Sequence, residues 1–243
     1  RSLRQDRGEG GVEATLGLRR VSIGFLLVFA ATVTAASFDW LMRMEPEWHS
    51  AVFGVYVFAG MTTAALAAAT LLTLGLRRAG RLEEAGTATD DHLYSLGGLL
   101  FAVTCFWGYI AFSQFMLIWY ANLPEEAGFF VRRHQSGWGA VTVALWIFHF
   151  GLPFLLLLPR RAKRSGRMLA VASVLVLVGQ AIDLYWILMP AAHRDGPVLG
   201  PAEIGPLLLM TGLLLVHAAR FLRRHAPVPW GDPLWEECRR FRL

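Results

Sequence analysis

Four side chains in this 243-residue sequence could hold or pass a proton where such chemistry is costly: Asp39, Gln114, His149 and Asp183. Each falls in or at the end of an apolar run. An Asp at the centre of a lipid-embedded helix costs at least about 2.5–3.5 kcal/mol on insertion scales, so each ionisable group there needs a reason. Carboxylates and imidazoles suit proton relays because moderate shifts bring their pKa into the working range. Asp183 lies about 9 Å along a helix from Met189, with Gln180 one turn away on the same face. Asp39 ends the first apolar run, with Thr32 below it on one face, and His149 is near the middle of the fourth. Tyr109, Ser113 and Gln114 sit together in the third, with Asn122 at its exit.

Two partial polar paths follow from these positions. The outer one takes Asp39, Gln114, Asp183 and His149; the inner one takes His217. Each residue also has a plainer reading. Asp39 is within reach of interfacial water and suits a cap or an ion pair. Asp183 is the hardest to explain as structure alone and calls for a functional or partner-facing role. His149 suits a hydrogen bond across helices. His217 and Arg220, near the inner boundary, suit snorkelling.

The elements that must position these residues are membrane helices. The chain is 55% hydrophobic with a mean hydropathy of +0.46, too apolar for an ordinary soluble domain. The apolar residues form six blocks, approximately Val21–Phe38, Val52–Leu76, Leu96–Trp119, Trp138–Leu158, Leu169–Met189 and Ile204–Ala219. Each is near the length that crosses about 30 Å of hydrocarbon. None alternates as a strand does, and helices satisfy their own backbone in lipid. The expected fold is therefore an all-α integral membrane protein: a cytoplasmic arm over 1–20, a six-helix membrane domain over 21–224 and a cytoplasmic tail over 225–243. Ala59, Thr63 and Ala67 in span two, with Gly60, Ala64 and Ala68 beside them, form small-residue rows for close helix packing.

Charge fixes an expected orientation. Of 23 Lys and Arg, 19 lie in the N-terminal arm, the loops after spans two and four, and the tail. Only Arg43, Arg132, Arg133 and Arg194 lie on the other side. The positive-inside rule then puts both ends of the chain in the cytoplasm. The sequence pI near 9.8 thus reports topology beside anionic lipid headgroups, with no nucleic-acid partner. Trp40, Trp48, Trp119, Tyr120, Trp138 and Trp186 fall near the outer boundary as an aromatic belt. Glu83, Glu84, Asp90 and Asp91 make the inner loop 77–94 a solvated connection, and the proline-containing tail should be extended, packing on a partner.

No catalytic residue, metal site or bound cofactor is expected. Cys105 and Cys238 belong to no CxxC or CxxCH set, so haem c and iron–sulfur clusters lack ligands. His149 and His217 lie at different depths, which is poor geometry for one haem b. Neither a phosphate-binding glycine loop, an HExxH helix nor a nucleophile elbow is present.

The strings ASFDWLMRMEPEWHSAVFGVYVFAG (36–60), LLFAVTCFWGYIAFSQFMLIWYANLPEEAGFF (99–130), IDLYWILMP (182–190) and the tail DPLWEECRRFRL closely resemble the F subunit of alternative complex III. That complex is a bacterial quinol:cytochrome c oxidoreductase, and the subunit is its quinone-binding subunit 2, of the NrfD-like, polysulfide-reductase membrane-anchor type. The resemblance implies the C-terminal six of about ten helices. It implies a cofactor-free subunit in the bacterial inner membrane, with quinol, iron–sulfur clusters and haem c held by partner subunits. Those partners would be a related NrfD-like quinol-binding membrane subunit, an iron–sulfur subunit and haem c subunits. It also implies a share in proton translocation, with Asp39 of SFDWLM, Gln114 of AFSQF and Asp183 of IDLYW at family-motif positions. Arg43, Glu47 and His49 depart from the family pattern. The alternatives are a purely structural membrane anchor and a free-standing transporter; no pair of Gly/Pro-broken spans supports the latter.

Overall fold

The computed structural model describes residues 12–82, 89–228 and 231–240. Glu83, Glu84, Pro229, most of the N-terminal arm and the last tail residues lie outside the described residues. The described chain is all-helical, and six of its helices are long and apolar enough to cross a membrane. These are α1 (Val12–Met44), α2 (Phe53–Arg78), α3 (Asp90–Ala121), α5 (Trp138–Leu157), α7 (Gly166–Ala192) and α8 (Pro201–Arg224). Shorter helices α4 (Pro124–Arg132), α6 (Arg160–Arg164) and α9 (Trp235–Arg240) lie in the connections and tail. Helix α1 is already formed at Val12, the first described residue, so Arg19 and Arg20 are helical, and it ends in a π-helical turn, Ser37–Leu41, and a 3-10 turn, Met42–Met44.

Helices α2, α3, α5 and α7 form a four-helix bundle. The first small-residue row faces inward: Ala59, Thr63 and Ala67 are all buried, and α2 packs on both α3 and α7. Close approach is tightest where α5 crosses α7. A Cβ at Gly179 would stand 2.5 Å from His149 Cα. By contrast, α8 has no buried residue and α1 buries only Ser37 and Met42. Their broad apolar faces are open to lipid or to other chains.

Local chemistry sets the ends. Asp90 and Asp91 open α3, favourable at the positive end of a helix dipole; they also pair with Arg77 (3.0 Å) and Arg164 (3.2 Å). Asn122 stops α3 in the left-handed region, at φ 49°, and Pro124 starts α4 where a missing N–H costs nothing. Glu203 accepts a hydrogen bond from the Gly200 N–H at 2.8 Å and caps α8.

The two ends of the bundle differ. At the basic end the tail folds back on the chain: Val228 and Leu82 are buried together, and His92 Nε2 lies 3.0 Å from Cys238 O. The stretch read as extended and partner-facing thus contains α9 and makes contacts within its own chain. At the opposite, capped end, α4 lies over the bundle. Trp48, Trp138 and Trp186 are buried in this cap, whereas Trp40, Trp119 and Tyr120 are exposed as belt residues should be. Two of the three buried indoles have the hydrogen-bond acceptors that a headgroup layer would otherwise supply, and the third is stacked. Trp48 stacks on Phe129 (3.9 Å), Trp138 Nε1 donates to His193 O (3.0 Å) and Trp186 Nε1 donates to Thr142 Oγ1 (2.8 Å).

Candidate functional site

Each helix of the bundle places one or more polar or aromatic side chains at a common level. From α7, Asp183 is 1% exposed and accepts a hydrogen bond from the Tyr56 hydroxyl of α2. Trp107 of α3 and Gln180 of α7 lie near the same carboxyl, although Trp107 Nε1 reaches no hydrogen-bond geometry. The Trp107 ring lies 3.9 Å from that of His149 of α5, tilted by 35°; His149 is fully buried, with both ring nitrogens unpartnered among the described residues. His149 stands in a π-helical turn, Trp146–Gly151, a form that recurs at functional sites. Glycines make the room. A Cβ at Gly60 would stand 2.8 Å from Gln180 Oε1, and one at Gly179 would meet the His149 backbone.

A cavity of about 340 Å³ opens beside this cluster, between α3, α5 and the cap. Its wall is largely aromatic, with Tyr56, Trp107, Phe115, Phe130, Trp146 and Trp186 contributing. Gln114 lines it too, almost fully buried, with an unpartnered Oε1. Tyr56 therefore has two faces: its ring borders the cavity and its hydroxyl holds Asp183.

The cap is built on Arg133, which is 0% exposed. Its Nε donates to Trp186 O (3.0 Å), Nη1 to Phe129 O (2.9 Å) and Nη2 to Ile187 O (2.8 Å). The guanidinium lies 3.4 Å over the Phe129 ring. Glu45 contacts it at 2.7 Å as an ion pair and also pairs with Arg132. Burial brings Arg133 down from its ordinary value to about 10, against the pull of Glu45, so it stays a cation at neutral pH. The Trp186 carbonyl has a reason to seek this donor. Pro190, four residues later within α7, has no N–H to offer it.

Of the four residues singled out in sequence, the structure brings three together. Asp183 and His149 flank Trp107, and Gln114 shares its cavity. Asp39 is exposed on α1, outside the cluster. Thr34 packs against Gly54 of α2 and Ser37 is buried, whereas Asp39, two residues further on, is exposed. Among the described residues Thr32 bonds to its own helix, at Val28 O and Phe29 O. Tyr109 is exposed, and His217 and Arg220 are exposed on α8. Tyr56, Glu45 and Arg133 had been passed over. Tyr56 extends the buried small-residue row of α2, and Pro190 signalled a carbonyl in need of a donor.

Fold and site define a multi-pass α-helical membrane protein with a buried polar cluster in its bundle. No protein-family model matches the chain, and no curated protein matches it.

Proposed function

We propose that this chain is a membrane subunit of a bacterial respiratory quinol:cytochrome c oxidoreductase of the alternative complex III type, supporting assembly and proton translocation. The observation that carries the relay is Asp183, buried in the bundle and bonded to Tyr56, which lines a cavity that Gln114 also lines. Such a carboxyl is costly in a span and is kept where it does work. The strings around Asp39, Gln114 and Asp183 support the family. The open faces of α1 and α8 suit a chain that sits among other membrane subunits.

In this reading the basic end faces the cytoplasm and the capped end faces outward, from the 19-to-4 distribution of Lys and Arg. The membrane is the bacterial inner membrane. The related quinol-binding membrane subunit, the iron–sulfur subunit and the haem c subunits are the partners, and they carry the redox groups. This chain contributes residues that hold and pass protons: Asp183 as the buried carrier, Tyr56 as its hydrogen-bond partner, Gln114 on the cavity side and His149 on the deeper side. Asp39, exposed on α1, serves an interface.

A structural anchor is the second reading, favoured by the Tyr56–Asp183 bond, which ties α2 to α7. Mild-detergent purification through an affinity tag on this chain tests the complex assignment. Co-elution of an iron–sulfur protein and of c-type haem absorbance is expected. Recovery of the chain alone in stoichiometric yield would overturn the assignment.

A further inference from the structure

We propose that Arg133, held by Glu45, is an electrostatic plug that closes the capped end of the bundle above Asp183. The proposal rests on the relay reading above. A fully buried arginine in a connection between spans is costly unless its charge and donors are met. Here they are met by three backbone carbonyls, two aromatic faces and one carboxylate.

Placement turns this staple into a barrier. Trp186 and Ile187, whose carbonyls Arg133 grips, are the residues three and four positions beyond Asp183 on α7. The guanidinium therefore sits about one turn above the carboxyl, on the axis a proton would follow from the capped end. With Arg132 also paired to Glu45, two cations share one carboxylate. A net positive charge remains where a hydronium ion would have to pass. The side chains around it leave little bypass. Phe129 is stacked under Trp48, and Thr142 is fixed between Arg133 O (2.9 Å) and Trp186 Nε1.

A purely structural role for Arg133, satisfying the carbonyl that Pro190 orphans, can be separated from closure. Pro190→Ala restores an N–H to Trp186 O, so Arg133 can be changed in that background. The full chain, reconstituted in liposomes with a trapped pH dye, is driven by a potassium diffusion potential. P190A and R133K/P190A, which keep the positive charge, should stay as tight as the wild type. R133M/P190A should pass protons roughly tenfold faster or more. A folded R133M/P190A as tight as R133K/P190A would overturn the plug. If the methionine variant does not fold, R133Q/P190A replaces it. Failure of both neutral variants where R133K folds would show that the charge serves folding alone, which also overturns the proposal. Adding Asp183→Asn to a leaking variant separates the two readings: loss of the leak supports passage by Asp183. A leak that persists keeps the plug and removes the relay.

Discussion

Gly179→Ala is the sharpest test of how the cluster is assembled. The added Cβ would lie 2.5 Å from His149 Cα, 2.6 Å from His149 Cβ and 2.7 Å from His149 N. Two of these are backbone atoms and cannot rotate away, so α5 and α7 must separate. Overpacking costs about 1–3 kcal/mol when side chains can adjust, and a backbone clash belongs at the top of that range. Alanine in place of a helical glycine returns about 1 kcal/mol. The net loss is about 2 kcal/mol, a factor near 30 in the folded-to-unfolded ratio. Gly98→Ala on α3 is the matched control, because a Cβ there meets nothing within 4 Å. It should be neutral or stabilising by up to about 1 kcal/mol. Reversible unfolding in mixed micelles measures both. Equal stabilities for the two variants would refute the close α5–α7 crossing, and with it the position of His149 against Trp107.

Two other substitutions divide structural from relay roles. Tyr56→Phe removes the hydroxyl that donates to Asp183; leaving that buried carboxyl without its donor should cost about 1–3 kcal/mol in the same unfolding assay. An unchanged stability would mean the bond is not formed. His149→Leu should leave stability within about 1 kcal/mol of wild type, because neither ring nitrogen has a hydrogen bond to lose. Proton uptake by the assembled complex should nevertheless fall, and unchanged uptake would remove His149 from the path.

Much of the architecture could be read from the chain because lipid imposes simple rules. Six apolar blocks, separated by charged connections, correspond to the six long helices, and the small row Ala59, Thr63 and Ala67 became the buried face of α2. Helix ends were less legible. Hydropathy reports contact with lipid, whereas helix continues past it, to Val12 in α1 and Asp90 in α3. Asp183 and His149 stood out because ionisable groups in spans are costly. Tyr56 did not, since a phenol in an apolar run raises no such alarm. Counting charges by side treated Arg133 as a mark of topology. Its burial depends on α4 folding over the bundle, and on a carbonyl freed by Pro190 more than 50 residues away. The same fold of α4 covers Trp48 and Trp186 through Phe129, while Trp138 is held by Tyr185 and His193, tertiary events that boundary statistics do not contain.

The central claim is that Asp183 carries protons in a redox-driven complex. It is met most directly by the proton-to-electron ratio of the assembled complex with Asp183→Asn, which keeps the side chain's size and a hydrogen-bond acceptor for Tyr56. The account predicts electron transfer from quinol at a substantial fraction of the wild-type rate, with fewer protons moved per electron. A fully assembled variant with the wild-type ratio would contradict it.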